Sequence, residues 1–280
     1  MRDVFRNAFY PAFVFLALIG HLTLIRAYPS LHPTLLASGV IIPGVVIVMV
    51  LEQLMPYRKS WNRMDHDFWS DLLLTNLVFP VLVEGVSFLL KHGFGDGLFS
   101  IWPKQAPILV QLVLALVMSE FFFYWTHRLG HETEALWKCH RTHHTPRRVY
   151  WMNAARFHPF DLLLNFVLYF MPLAILGAPT EVFALVFSMN AATGLLEHAN
   201  IDFDAGWLNR VFNTAQLHRW HHSVNIETSQ QNYGKVLSIW DQVFRTYYLP
   251  QNKHVGHVGA DKALVLVEAP IVSSVLSKVE

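Results

Sequence analysis

The chain has 280 residues, of which 53% are hydrophobic, 14% aromatic and only 15% charged. Charged residues make up about 25% of an ordinary soluble domain, so the composition argues against a soluble, disordered or collagen-like protein. The net charge of +1 gives no electrostatic reason to expect a nucleic-acid partner. The single cysteine, Cys139, excludes an intrachain disulfide scaffold.

Apolar stretches in the first half of the chain predict membrane-spanning helices, which need about 20 mostly apolar residues. Four stretches qualify, at residues 8–25, 35–51, 72–90 and 107–125. Two shorter stretches, 160–177 and 182–196, are separated by only four residues and predict a helical hairpin that enters the membrane, with full crossing left open. The first stretch lacks a convincing cleavage site, which favours a retained helix over a signal peptide.

Basic residues are concentrated on one side of these predicted spans. With the N-terminus in the cytoplasm, the cytoplasmic side carries Arg2, Arg6, Arg58, Lys59, Arg63, Arg128, Lys138, Arg141, Arg147, Arg148 and Arg156. The opposite side carries only Arg26, Lys91 and Lys104. This positive-inside pattern predicts a multi-pass protein of the bacterial inner membrane or the endoplasmic reticulum, with its histidine-rich region on the cytoplasmic face.

Histidine is the unusual residue, with 16 copies in the chain. Three clusters, HRLGH, HRTHH and HRWHH, contain His127, His131, His140, His143, His144, His218, His221 and His222. Residues three and four apart share a helix face, so each cluster directs its imidazoles to one side. His21, His32, His66, His92, His254 and His257 follow no such pattern and are expected to be ordinary polar residues.

The histidine clusters predict a site for two metal ions. Imidazole suits zinc, copper, iron and nickel, but a catalytic zinc takes only three protein ligands, so eight histidines exceed one zinc. The clusters lack the HExxH motif of zinc peptidases and the Glu-x-x-His motif of soluble di-iron proteins. The all-imidazole set instead favours a di-iron centre in a membrane enzyme.

The order HxxxH, HxxHH, HxxHH after an apolar helix resembles the fatty acid hydroxylase superfamily, which includes sterol desaturases, C-4 methyl sterol oxidases and alkylglycerol monooxygenase. The resemblance covers about residues 107–250. Arg-Phe-His-Pro at 156–159, His198 with Ile201-Asp202-Phe203, and Asn-Tyr-Gly at 232–234 with Trp240-Asp241 resemble further family elements. Arg245 departs from the pattern, since many relatives have glycine there.

This resemblance implies a non-haem di-iron enzyme that uses O2 to hydroxylate or desaturate a lipid. It adds His158 and His198 to the candidate metal ligands. The chain has no GxGxxG dinucleotide fingerprint, so we expect electrons from a separate cytochrome, ferredoxin or reductase. Metal-bound histidines usually donate to a neighbouring acceptor, for which the nearby candidates are Glu132, Glu134, Asp161, Glu197, Asp202 and Asp241. Asn225 and Asn232 could bind metal or water, or belong to loops.

We therefore expect an all-α, multi-pass transmembrane bundle of four spanning helices and a short hairpin, with a cytoplasmic helical cap holding the di-metal site. Three regions are predicted: transmembrane helices at 1–106, a catalytic domain at 107–250 and a tail at 251–280. Two alternatives remain open, a membrane metal-binding or metal-transport protein and a non-catalytic zinc-loaded relative. The predicted spans carry few ionisable residues, mainly Glu84 and Glu120, which argues against an ion path.

Overall fold

The computed structural model describes residues 2–28, 30–31, 33–64, 67–94 and 97–260, and every regular element in these ranges is helical. His32 and His66, and residues 261–280 of the predicted tail, lie outside the described residues. Three isolated pairs of bridging residues occur without forming a strand in the described part of the chain. The all-α prediction is confirmed.

Five helical segments in the described part of the chain are long and apolar enough to cross a membrane. They are α1 (Arg2–Ala27), α2 (Pro33–Leu54), α3 (Phe68–Leu73) joined by a π turn at Leu74–Val78 to α4 (Phe79–Phe94), α5 (Ile108–Glu132) and α7 (Pro159–Leu176). The first four segments cover the four predicted spans to within one residue, and α7 with α8 (Thr180–Glu197) forms the predicted hairpin. The first helix of that hairpin is thus itself long enough to span.

Short helices form a cap on the ends of the bundle. They are α6 (Glu134–His144), α9 (Ala215–His221), α10 (Ile226–Ser229) and α11 (Ile239–Val243), with short 3₁₀ turns at Lys59–Asn62, Trp151–Ala155 and Gly206–Arg210. This cap is built mainly from the segments that carry the histidine clusters. The fold therefore separates an apolar bundle from a histidine-rich end.

The hairpin lies at the centre of the bundle. Gly177 ends α7 in the left-handed conformation (φ 74°), which reverses the chain into α8. α8 packs against α1, α2 and α5, and α7 packs against α4 and α5. Val182, Leu185 and Leu196 of α8 are fully buried, so α8 is an internal helix of the bundle.

The outer helices expose large apolar side chains. Phe15 of α1, Ile42 of α2, Val81 of α4 and Val113 of α5 are each more than half exposed. Apolar surface on several adjacent helices is unfavourable in water and favourable in lipid. Together with the five apolar segments, this surface identifies a multi-pass membrane protein.

A buried glutamate fixes the loops of the cap to the bundle. Glu52, near the end of α2, accepts hydrogen bonds at Oε1 from the backbone nitrogens of Trp151 (2.9 Å) and Asn200 (2.8 Å). These two residues belong to the chain segments that lead into α7 and out of α8. The carboxylate therefore holds both ends of the hairpin in register with α2.

Candidate metal centre

Nine buried histidines form two adjoining groups at the cap end of the bundle. Within each group, the potential ligand nitrogens all lie within 4.8 Å of one another. The first group contains His127, His131, His140, His144 and His221, and the second contains His143, His198, His218 and His222. The structure thus brings together all eight histidines of the three sequence clusters, and adds His198.

The local helices determine which group each histidine joins. His218 and His222 lie four residues apart on α9 and its C-terminal end, and both face the second group, whereas His221 faces the first. On α6, His140 and His144 belong to the first group and His143 to the second. Because α6 and α9 each supply both groups, neither group can move independently of the other.

The close approach of α5 and α6 brings the first two clusters together. The helices meet at Thr133, which ends α5 and precedes the first residue of α6. A Cβ atom at Gly130 would lie 3.3 Å from Cγ of His140, a tight contact that glycine avoids. Gly130 therefore lets the ring of His140 lie directly against the last turn of α5.

His158 lies outside the two groups. It precedes α7, and its Nδ1 accepts a hydrogen bond from the backbone nitrogen of Phe160 (3.2 Å), as an N-terminal cap does. The remaining described histidines are also separate from the groups: His21 is buried in α1, His92 packs on Phe88, and His254 and His257 are exposed.

Backbone carbonyls determine which ring nitrogen carries the proton in four of the nine histidines. Nδ1 donates from His127 to Tyr233 (2.6 Å), from His221 to Gln231 (2.8 Å), from His143 to Arg156 (3.1 Å) and from His198 to Gly194 (3.0 Å). A carbonyl oxygen can only accept, so in each neutral ring the proton is on Nδ1 and Nε2 offers a lone pair.

These lone pairs face each other across short distances. Nε2 of His127 and Nε2 of His221 are 2.9 Å apart, and the Nε2 atoms of His143 and His198 are 3.3 Å apart. Neither member of either pair has a proton to donate there, so the contact is repulsive unless a cation lies between them. Two imidazole nitrogens bound at right angles about 2.1 Å from one ion are about 3 Å apart, so both pairs fit a shared metal.

Burial keeps the cap histidines neutral. Desolvation lowers the pKa of His198 and of His221 to about 3. The same cause lowers the pKa of four further histidines well below the ordinary value: His143, His144, His218 and His222. These six rings are therefore unprotonated near neutral pH, which is the state that binds a metal.

Among the residues that the structure describes, one acidic residue contacts a candidate ligand directly. Asp161, in the first turn of α7, accepts a hydrogen bond at Oδ2 from Nδ1 of His140 (2.9 Å), and Asn165 donates to its Oδ1 (2.8 Å). The carboxylate fixes the ring of His140 with Nε2 directed into the first group. This is the orienting role that the sequence suggested for one or more of six acidic residues.

Asp241 acts through a loop. Its carboxylate accepts from the backbone nitrogens of Tyr233 (2.7 Å) and Gly234 (2.8 Å) and from Oγ1 of Thr246 (2.7 Å). Burial raises the pKa of Asp241 to about 6. The carboxylate holds the Asn-Tyr-Gly segment in place, and the carbonyl of Tyr233 in turn receives His127.

The other suggested polar residues have different contacts. Glu132 pairs with Arg128 (2.9 Å), Glu134 with Lys138 (3.0 Å) and Asp202 with Arg6 (3.0 Å). Asn225 caps α10 by accepting from Glu227 (2.9 Å), and Asn232 donates to the carbonyls of Leu217 (3.1 Å) and Tyr248 (2.8 Å). Both asparagines therefore have loop roles in this structure. Glu197 lies in the wall of a cavity beside the histidines.

The sequence marked Glu120 only as an ionisable residue in a predicted span and did not reveal its hydrogen bonds to the 235–237 segment. Oε2 of Glu120 accepts the backbone nitrogens of Lys235 (3.0 Å), Val236 (3.0 Å) and Leu237 (3.1 Å), and Oε1 accepts Tyr169 Oη (2.9 Å). Glu52 was missed as well. A lone acid in an apolar run is itself a signal, because such a residue needs a buried partner.

An apolar cavity of about 210 Å³ leads from the bundle towards the histidines. Aromatic side chains dominate its wall, including Phe79, Phe166 and Phe170. A narrower cavity of about 10 Å³ continues beside five of the histidines, namely His127, His140, His143, His198 and His218. Three residues line both cavities: Phe123, Phe157 and Lys235.

The fatty acid hydroxylase family model matches residues 112–246, a segment that contains all nine histidines. The chain is 37% identical to the ornithine lipid hydroxylase OlsE of Rhizobium tropici, over 77% of this chain and 68% of that protein. It is 32% identical to human (Homo sapiens) alkylglycerol monooxygenase, over 50% of this chain and 31% of that protein. It is 27% identical to methylsterol monooxygenase 1-1 of Arabidopsis thaliana, over 51% of this chain and 49% of that protein.

No solved structure matches the chain significantly. The family match, the names of the relatives and the histidine groups all indicate a metal-dependent lipid hydroxylase. The chain belongs to the fatty acid hydroxylase family and is a membrane oxidoreductase of the lipid-hydroxylase type.

Proposed function

We propose that this chain uses two iron ions and O2 to hydroxylate a C–H bond of a membrane lipid. The observation that carries the proposal is the pair of histidine groups beside a narrow cavity that shares three lining residues with the large apolar cavity. The proposed ligands are the nine grouped histidines, His127, His131, His140, His143, His144, His198, His218, His221 and His222. His158, which the sequence also suggested, caps α7, and we leave it out of the proposed set.

Iron fits the donor set and the chemistry better than zinc. Imidazole binds either metal, but zinc has no redox chemistry, and the relatives are named hydroxylases and monooxygenases. When bound, two ferrous ions would supply the electrons that activate O2 for attack on an unactivated C–H bond. The protein supplies binding, orientation and the exclusion of water.

Two aromatic residues separate the large cavity from the histidines. Phe157 stacks on His143 with ring centroids 4.6 Å apart, and Phe123 meets His127 edge-on at 5.2 Å. Both rings line the large and the narrow cavity. We propose that the lipid chain occupies the large cavity, and that these rings hold the reacting carbon at the junction and keep water out.

The names of the relatives make three lipid classes candidates for the substrate: an ornithine lipid, an alkylglycerol and a methylsterol. Since these relatives are called hydroxylase or monooxygenase, we propose hydroxylation over desaturation. Metal transport is not favoured, because the histidines lie towards helix ends and in the cap, away from the middle of the apolar segments.

Hydroxylation by O2 consumes electrons that the substrate does not supply, so we propose a separate cytochrome, ferredoxin or reductase as the donor. We further propose that residues 1–106 anchor a catalytic domain at 107–250, with the metal centre on the cytoplasmic face. The positive-inside pattern supports this orientation. Reporter fusions after residues 60, 150 and 230 should then be cytoplasmic, whereas opposite locations for 150 and 230 would contradict a shared site.

Lipid extracts of a host with and without the chain test the reaction directly. Under isotopically labelled O2, we expect one lipid class to gain a single labelled oxygen atom, and the His221→Ala variant to give none. Loss of two hydrogen atoms without added oxygen would show desaturation instead. An unchanged lipid profile, in cells whose purified protein carries iron, would contradict the proposed function.

A further inference from the structure

Part of the cap packs along the side of α5 instead of on the end of the bundle. Residues 235–237 donate their backbone nitrogens to Oε2 of Glu120 (3.0, 3.0 and 3.1 Å). Trp240, in α11, donates from Nε1 to the carbonyl oxygen of Val117 (3.0 Å). Glu120 and Val117 belong to a helix that is long and apolar enough to cross a membrane.

The chain segment before α9 makes similar contacts with α1. The backbone nitrogen of Asp204 donates to the carbonyl oxygen of Arg6 (3.2 Å). Further along, the ring of Phe212 packs on that of Tyr10, with centroids 6.0 Å apart. Tyr10 lies within the apolar part of α1, Val4–Ala27. This segment therefore runs along α1 from its charged end into its apolar part.

The rise of a helix gives the depth of the contacts on α5. At about 1.5 Å per residue, Glu120 lies about 12 Å from Arg128, and Val117 lies about 16 Å from it. Arg128 is the first charged residue after Glu120 in the direction of the cap. Because the hydrocarbon core is about 30 Å thick, residues that contact Glu120 and Val117 lie below the surface of the membrane.

Irregular backbone can lie at this depth only if its polar groups are satisfied within the protein. Residues 235–237 are not helical, and their three nitrogens all reach the fully buried Glu120. The neighbouring backbone pairs with the segment before α9, since Asn213 donates to the carbonyl of Val236 (3.0 Å) and Ser238 to that of Val211 (3.0 Å). An acid in a span thus has a structural purpose here.

The outward face of these two segments is apolar. Gln242 joins them by donating from Nε2 to the carbonyl of Arg210 (2.6 Å). Four large apolar side chains on this face are each more than a third exposed: Trp207, Val211, Ile239 and Val243. The depth along α5 selects the partner, because hydrocarbon surrounds a membrane protein at that level and favours such a surface.

We infer that residues 205–212 and 235–243 form a re-entrant wedge in the leaflet nearest the histidines, with Trp207, Val211, Ile239 and Val243 in contact with lipid acyl chains. The two parts of the wedge flank the chain that carries the third histidine cluster. The wedge therefore anchors α9 to the membrane from both sides and holds the metal centre at the surface of the bilayer.

Spin labels on the purified, metal-loaded, full-length protein test this wedge in vesicles of phosphatidylcholine and phosphatidylglycerol. Trp207→Cys and Val243→Cys carry the labels on the wedge. Val113→Cys, on the exposed apolar face of α5, is the lipid reference, and Glu227→Cys, on the exposed α10, is the water reference. The unmodified chain, labelled at Cys139, gives the background to subtract. Metal content confirms that each variant is folded.

Collisions with dissolved O2, which concentrates in lipid, are compared with collisions with a water-soluble nickel chelate. We expect the ratio of O2 to nickel collisions at positions 207 and 243 to resemble that at 113. It should be several-fold higher than the ratio at 227, because acyl chains exclude the chelate from the wedge.

Charge substitutions supply a second measurement that needs no label. Val243→Asp places a carboxylate in hydrocarbon, which is unfavourable for a side chain too short to reach the interface. Ala135→Asp, at an exposed position of α6, is the control. In vesicles, we expect Val243→Asp to lower the unfolding temperature and Ala135→Asp to leave it unchanged.

Three results would overturn the inference. Free collision of the nickel chelate with the labels at 207 and 243, as at 227, would place this face in water. Shielding of both labels from both reagents would show that protein, such as a second copy of the chain, covers it. Equal unfolding temperatures for the two aspartate variants would also contradict contact with acyl chains.

Discussion

Asp161 accepts a hydrogen bond from Nδ1 of His140 at 2.9 Å, although the two residues lie on different helices, α7 and α6. The contact joins the second histidine cluster to the hairpin that passes through the centre of the bundle. His140 is the only one of the nine grouped histidines, all of them described residues, whose Nδ1 hydrogen-bonds a carboxylate; four others use backbone carbonyls. Asp161 is therefore the clearest side-chain determinant of ligand orientation.

Replacing Asp161 with asparagine should weaken metal binding. The amide has no negative charge to strengthen the basicity of His140, and one face of it presents donors instead of acceptors. Changes to such orienting partners typically cost about 10–100-fold in metal affinity or activity. Glu134→Gln, on the exposed face of α6, is the matched control and should behave like the wild type. Equal metal affinity in both variants would remove the orienting role.

Loss of one histidine from either group should abolish activity. His221 belongs to the first group and His143 to the second, and α6 and α9 contribute to both. Residues that act as a unit give non-additive losses, so His221→Ala, His143→Ala and the double variant should be equally inactive and low in iron. His92→Ala, in α4, should keep iron and activity. Wild-type turnover by His221→Ala would contradict the catalytic assignment.

His198 and His158 should respond differently to alanine substitution. His198 lies in the second group, with its Nε2 3.0 Å from that of His218, so we expect His198→Ala to lose metal. His158 accepts the backbone nitrogen of Phe160, and its loss should remove a helix cap worth about 1 kcal/mol without removing iron. Iron content and thermal unfolding of both variants distinguish a ligand from a cap. Iron loss in His158→Ala would restore the role suggested by the family resemblance.

The metal-free protein should lose stability as the pH falls below the ordinary histidine range. Burial lowers the folded-state pKa of His198 and of His221 from 6.5 to about 3. Between these values the unfolded state binds more protons, so the free energy of unfolding decreases as the pH falls through this window. Each such histidine contributes about 1.4 kcal/mol per pH unit. Denaturation of the metal-free protein between about pH 7 and about pH 5 measures this, and a flat profile would contradict it.

The sequence predicted the spans and the histidine clusters because both depend on local pattern. Apolar length identifies a membrane helix, and spacing of three or four places histidines on one face. The division into two groups was not predictable, because His221 of α9 meets His127 of α5 only in the tertiary structure. The backbone acceptors were also hidden, since every residue has a carbonyl and only the fold decides which one, such as that of Tyr233, lies beside a ring.

The distribution of acidic residues shows the same limit. Asp161, Asp241 and Glu132 all lie near histidine clusters in the sequence, yet one orients a ligand, one fixes a loop and one pairs with an arginine. Their roles depend on which helix packs against them. Local spacing alone does not contain that information.

Metal analysis of the purified full-length protein tests the central claim most directly. Elemental analysis combined with iron spectroscopy on protein expressed in iron-rich medium should find about two irons per chain, because the grouped histidines form two adjoining sets of imidazole ligands. The His221→Ala variant, prepared in parallel, should carry clearly less. A single zinc per chain and no iron, reproduced across preparations, would contradict the di-iron account.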